Sequence, residues 1–215
     1  MSVASDTNDL DHYDLCINEG IPVVFFDRVG KDAPGIKVII DNQKAGYNAT
    51  EHLIQQGCRR LMHITGDLAR NVYADRLEGF KKALADHNLP YDAGQLKVTD
   101  LDEKAGEEVA RQIMEMRQGP DGLFFANDLC AAVCMKCLKA AGIKVPEDIA
   151  IVGFNNDTIS RLIEPQLTTV NYTGTEMGEI AATSLLAQLS GRSEQSDHTI
   201  ILKSQLMIRG SSTKR

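Results

Sequence analysis

At 215 residues the chain is long enough to bury a hydrophobic core without disulfide or metal staples. Its 43% apolar and 25% charged residues are ordinary soluble-globular composition, and no apolar run approaches the length needed to cross a bilayer. A formal charge of −7 argues against this chain gripping a phosphate backbone itself, and residues 1–14 have neither the basic nor the apolar region of a secretory signal.

In chain order, Val23-Val24-Phe25-Phe26 and Val38-Ile39-Ile40 are the first of several short runs that are apolar at successive positions. Ala45, Ala49 and Leu53 then repeat at helical spacing, with Gly57 as a stop. Leu61-Met62-His63-Ile64 is the next apolar run. After it, Leu77, Phe80 and Leu84 share one face of a helix predicted over 76–88 and closed by Pro90. Gln95-Leu96-Lys97-Val98 is a weaker strand, followed by a helix over 103–117 carrying Val109, Ile113 and Met116. Leu123-Phe124-Phe125, a helix over 129–141 ending at Gly142, and Ile149-Ala150-Ile151-Val152 continue the alternation. Met177, Ile180, Ala181 and Ser184 mark a last helix before Gly191, and 191–198 reads as a surface loop. Continuous rather than alternating apolar strands belong to a parallel sheet covered on both faces, so the pattern predicts an α/β architecture with right-handed crossovers.

Cys16, Cys58, Cys130, Cys134 and Cys137 make an odd count, which fits a reducing cytosol better than a disulfide framework. Cys130, Cys134 and Cys137 stack on one helical face without a fourth ligand nearby in sequence, so they read as a buried stripe rather than a metal site. His63, inside an apolar strand, reads as a hydrogen-bonded core residue.

Nearly every apolar strand ends in Asp or Asn: Asp27, Asp41-Asn42, Asp67, Asp100, Asn127-Asp128 and Asn155-Asn156. Ligands of open α/β sheets bind just outside the carboxyl ends of the strands, so the set suggests a polar cleft, while each residue alone also fits a helix N-cap. Arg70 lies in one of these loops. Arg76, read as opening a helix, opposes the macrodipole there, which suggests a forked hydrogen bond to a ligand; an ion pair with Asp75 or Asp128 is the other reading. Nucleotide-binding, nucleophile-elbow and zinc-protease motifs are all missing, so the chain is not read as an enzyme, and no cofactor or metal is expected.

These residues fall into motifs. Ile21–Arg28 (IPVVFFDR) resembles the strand IPVVxxDR of the LacI/GalR family of bacterial transcription regulators. Asp41-Asn42 through Gly46, Ala49, His52-Leu53-Ile54 and Gly57-Cys58-Arg59-Arg60 is similar to that family's DN…G…A..HLI..GHRRI, with Cys58 for the usual His. Arg76–Phe80 matches RxxGF, and Ala126-Asn127-Asp128 with Ala131-Ala132 matches ANDxxA. Val145–Phe154 with Pro165–Val170 matches VPxDIxxxGF…PxLTTV, and Leu206–Ser212 resembles the closing LxxRxSS.

The resemblance implies a periplasmic-binding-protein-like core with one complete lobe and a partial second one. Residues 1–41 and 171–194 would be part of the N-terminal lobe, and 42–170 with 195–215 the C-terminal lobe. It implies a small polar effector, a carbohydrate or related metabolite, held in a cleft between lobes, a homodimer, and operator DNA bound only through a head that this sequence lacks. By position Asp27, Arg76 and Asn127 match effector contacts. Arg70 and Asn155 stand where some members place others, with Asp being usual at the latter, and Arg28 and Asp128 adjoin them. Leu162 and Ile163, with Ala132 and Lys136 on the 129–141 helix, are the expected dimer surface, although ordinary packing also explains the first two. A periplasmic-type solute-binding protein is the alternative; the free cysteines and the PxLTTV and LxxRxSS segments favour the regulator.

Overall fold

A computed structural model describes residues 1–3, 11–30, 33–191 and 197–214. The elements run α1 (Asp11–Asn18), β1 (Val24–Phe26), β2 (Ile36–Ile40), α2 (Asn42–Gln55), β3 (Leu61–Thr65), α3 (Asn71–Asp86), β4 (Leu96–Val98), α4 (Glu103–Glu115) and β5 (Gly122–Phe125). They continue with α5 (Asp128–Ala140), β6 (Ala150–Asn155), α6 (Ile159–Leu162), β7 (Thr168–Asn171), α7 (Gly174–Leu189), β8 (His198–Leu202) and β9 (Gln205–Met207). Two compact units result: Met1–Asp41, Arg70–Val72 and Thr173–Lys203 form one, and Asn42–Ala69, Tyr73–Tyr172 and Ser204–Arg215 the other.

The larger unit is built on a six-stranded sheet in the order β4-β3-β5-β6-β7-β9. Its strands are parallel except β9, which runs antiparallel to β7 along the edge. Leu123, Phe125 and Ile151 press from the sheet onto Val109, Ala110 and Ile113 of α4 and Cys130, Cys134, Met135 and Leu138 of α5. This explains why β5 and β6 carry no polar alternation: the whole of β5 and nearly all of β6 is buried. Burial pushes the Cys130 thiol up to about 12 and Cys134 higher still, so both behave as small apolar side chains. Between α2 and α3 there is no room for a Cβ at Gly46 or Gly79, which would strike the backbone of Arg76 or of Gln43 and Tyr47.

The smaller unit has a three-stranded parallel sheet, β1-β2-β8. Val23, Phe25 and Val29 form its core, with Tyr13, Cys16 and Ile17 packed against them. Residues 1–3 follow the outer edge of β1, where the Met1 ammonium donates to Val24 O and the Phe26 N–H to Met1 O. One expectation changes here: residues 198–202, placed with 42–170 from the sequence, pair with β2 in register from Ile36↔His198 to Ile40↔Leu202. Of the expected 191–198 loop, residues 192–196 lie outside the described residues.

Candidate ligand site

The carboxyl ends of β3, β5 and β6 open into polar loops, and a second layer of polar side chains from β7 and the C-terminal segment holds them. Asn127 ends β5 and caps α5: its Oδ1 accepts from the Cys130 N–H at 3.0 Å, and its Nδ2 donates to Leu101 O at 2.8 Å. It is half-buried, and the capping reading describes what its side chain does here. Asp67 closes its own turn by accepting from the Ala69 N–H at 2.9 Å, and Arg70 stands half-buried three residues on.

After β6 the chain takes two left-handed steps, with φ of 109° at Asn155 and 58° at Asn156. Such non-glycine conformations persist only where neighbours over-determine them. Here the neighbours are plain. The Asn156 N–H donates to Thr169 Oγ1 at 3.1 Å, its Nδ2 donates to Asn171 Oδ1 at 2.9 Å, and its Oδ1 accepts from Arg209 Nη2 at 2.6 Å. Asn155, half-buried, donates from Nδ2 to Asp157 Oδ2 at 3.2 Å.

Asp128, expected among ligand contacts, turns inward instead. It is fully buried, its Oδ1 accepting from the Thr169 hydroxyl at 2.7 Å and its Oδ2 from the Asp157 N–H at 2.7 Å. Burial raises its carboxyl to about 7, against the pull of those two donors. A side chain at Gly153 would fall on its Oδ1, which is why β6 carries a glycine there.

Arg76 also differs from expectation. The helix α3 begins at Asn71, so Arg76 sits in its second turn and not at the first, and the macrodipole argument does not apply. The side chain is 4% exposed, with its guanidinium carbon 3.5 Å from the centroid of the Phe154 ring. Nε donates to Asn42 Oδ1 at 2.9 Å and Nη1 to Ala126 O at 3.0 Å. These two acceptors help to fix its plane over the Phe154 ring.

In the smaller unit, Asp27 follows β1 with a φ of 60° and lies 3.8 Å from Arg28 Nε. Asn71 straps the turn, donating to Asp27 O at 3.3 Å and accepting from the Val29 N–H at 3.1 Å.

Asn156 stands in the sequence only as a strand end, and Thr169 and Arg209 only within motifs; none is among the expected contacts, yet they carry the second layer. Arg209 Nη1 donates to Ser160 Oγ at 3.0 Å and to Leu167 O at 2.8 Å while Nη2 grips Asn156. The available signal was the closing Arg209-Gly210-Ser211-Ser212, whose serines are completely buried. On the expected dimer surface, Leu162 is 74% exposed and Lys136 exposed, with Ile163 half-buried. Ala132 is 3% exposed and presents no surface.

A family model described as a periplasmic binding protein-like domain matches residues 50–212. The chain belongs to the effector-binding domains of LacI-type transcriptional regulators. It is 31% identical over 191 residues to the HTH-type transcriptional repressor PurR of Aliivibrio salmonicida, covering 88% of this chain and 57% of that relative. A solved CelR–cellobiose complex superimposes with a TM-score of 0.86 at 29% identity, covering 93% of this chain and 61% of that one. A LacI-family regulator from Enterococcus faecium with bound ribose gives 0.83 at 25% identity, with coverages of 93% and 73%. The LacI-type chain described here thus spans less than two thirds of the length of the curated relatives it matches. Those relatives are transcriptional regulators and not enzymes. Among the described residues no group of His, Cys, Asp or Glu could hold a metal ion, and no helix is long and apolar enough to cross a membrane.

Proposed function

We propose that this LacI-type core senses a small polar molecule of the carbohydrate class in the cytoplasm and so modulates operator binding by a helix-turn-helix head. The observation that carries the reading is the strained Asn155-Asn156 turn, held from behind by Thr169, Asn171 and Arg209 beside the half-buried Asn127. Rigid amides at strand ends, offering both donors and acceptors, suit hydroxyl-rich ligands. Asn127 and Asn155 are the proposed direct contacts, with Arg76 fixing the wall. Arg70, Asp27 and Arg28 are included on the family's pattern alone. The class of ligand is supported by the cellobiose and ribose bound to the two solved relatives.

Thermal denaturation in the presence of cellobiose, ribose and a wider panel of sugars tests this. A ligand at about 100 times its Kd stabilises the folded state by roughly 2.7 kcal/mol, and Asn127→Ala or Asn155→Ala should remove the shift. No shift with any sugar would overturn the carbohydrate reading.

We also propose that two copies pair through α6 and the exposed Lys136 side of α5. Leu162, 74% exposed on a four-residue helix, supports this. Sedimentation of Leu162→Asp should give half the wild-type mass; an unchanged mass would remove this face from the interface.

A further inference from the structure

Among the described residues Asp128 is the one carboxylate of the larger unit whose side chain is fully buried, and it touches the proposed ligand loop without lining it. It sits at the first position of α5, and its two oxygens face different elements. Oδ2 accepts from the backbone of Asp157, in the loop between β6 and α6. Oδ1 accepts from Thr169 on β7, whose oxygen in turn accepts from the Asn156 N–H. The loop is therefore tied to α5 twice, directly through Asp157 and through Thr169 to Asn156. The next residues belong to the same bundle: Ser160, in α6, donates from Oγ to Asp157 O at 2.6 Å.

We propose that Asp128 is a positioning residue that tightens the Asn155–Asp157 loop when it ionises and slackens it when protonated, so that ligand affinity follows its charge. The reasoning is one of hydrogen-bond direction. Ionised, both oxygens accept, and bonds to a carboxylate are roughly twice as strong as neutral ones. A proton on Oδ1 makes that atom a donor to Thr169 Oγ1, which then takes two donors and must swing its own hydrogen away. A proton on Oδ2 leaves the Asp157 N–H facing an O–H. Either way one of the loop's two ties weakens.

Few other charges face the carboxyl. Gly153 of β6 and Thr169 of β7 bring none; the Asp157 carboxylate from the loop opposes ionisation, and Arg209 from the C-terminal segment favours it. Burial places the balance at about 7, inside the range a cytoplasm spans. The inference rests on Asn155 as a ligand contact, and its first test is free of any ligand.

The amide resonances of Asn156 and Asp157 would be followed from about pH 5.5 to 8.5 in the wild type, Asp128→Asn, Thr169→Val and Thr169→Ser. Both amides should titrate with a midpoint near 7 in the wild type and in Thr169→Ser, which keeps the donor. The midpoint should move up in Thr169→Val, which lacks it, and the titration should vanish in Asp128→Asn. Amides that stay still in the wild type, or move equally in Asp128→Asn, overturn the proposal. Calorimetry with ribose and cellobiose then reads the consequence: affinity should rise roughly threefold or more between about pH 6 and 8 in the wild type and stay flat in Asp128→Asn. A titrating loop with pH-independent affinity overturns the coupling to ligand. If neither sugar binds at any pH while the amides titrate, the carbohydrate reading fails and the tie between Asp128 and the loop stands.

Discussion

The guanidinium of Arg76 lies over the ring of Phe154, 3.5 Å from its centroid, with Nε and Nη1 committed to Asn42 and Ala126. The arginine joins α2, α3, β5 and β6 at the level where β5 and β6 give way to their loops. Replacing it by alanine strips two buried acceptors of their donors and uncovers an aromatic face.

Arg76→Ala should therefore lose about 3 kcal/mol or more of stability, well beyond a surface arginine. Arg76→Lys should recover only part, because an ammonium cannot serve two diverging acceptors while stacked. A double-mutant cycle with Phe154→Leu in urea denaturation should return a coupling of about 1–2 kcal/mol. Additive losses would show that the stacking contributes nothing.

At Gly153 the constraint is space. A methyl group there would fall on Asp128 Oδ1, so Gly153→Ala must displace either the carboxyl or β6. The expected cost is about 1–3 kcal/mol, together with a changed Asp157 amide shift. A variant as stable as the wild type, with that amide unmoved, would show that the strand has slack at this point.

The closing serines form a chain of hydroxyls. Ser212 donates to Thr168 Oγ1 at 2.6 Å, so His52 Nε2, 2.7 Å away, carries the hydrogen that Ser212 accepts. Burial lowers the His52 pKa, which keeps the ring neutral in this role. Ser212→Ala leaves His52 Nε2 without this acceptor, while Thr168 Oγ1 keeps Arg209, and should cost about 1–3 kcal/mol, read from the urea midpoint. Ser211→Ala should act similarly, since Ser211 bridges Ile151 O and the Thr168 N–H.

His63 gives the fold an acid limit. It lies between Phe80 and Phe124 with Nδ1 3.0 Å from Phe124 O, and burial lowers its pKa to about 4. Between the unfolded value of 6.5 and about 4 the unfolded chain holds the extra proton, so stability is complete above 6.5 and falls as pH drops through that window. The loss should reach the order of 3 kcal/mol. Asp128 acts oppositely: its raised value makes the protonated form the stable one, so its contribution declines as pH rises from about 4 to 7. Urea unfolding across pH should show the acid fall steepened in Asp128→Asn and shallower in His63→Asn, which cannot ionise. Parallel pH curves for all three proteins would contradict both assignments.

Which parts of this were legible in the sequence follows from what each residue answers to. The strands β3, β5 and β6 could be read because burial on both faces demands unbroken apolar runs, whereas β4, with no buried residue, gave the weaker signal. β7, which opens on Thr168-Thr169, could not: its hydroxyls are there for Arg209, Ser212 and Asp128, which lie about forty residues away in sequence. β8 is mostly exposed along its length and gave no hydrophobic signal strong enough to place it. The Asp and Asn strand ends pointed to the polar loops at the carboxyl ends of the strands, but nothing in their spacing separates half-buried Asn127 from Asp128, turned into the core. That distinction needs a partner strand, and Thr169 supplies it.

The route of the chain sets an order of events during synthesis. The sheet of the larger unit has five of its strands by Asn171, yet the Thr168 hydroxyl and N–H meet their partners in Arg209, Ser211 and Ser212. Until those residues leave the ribosome, β7 is an open edge carrying unmet hydroxyls and amides, exposed to pairing with another nascent chain. The segment 173–203, which emerges in between, belongs to the other unit. Each unit therefore has to hold a half-made sheet while the other is being translated, and residues 205–212 act as the latch that closes the larger one.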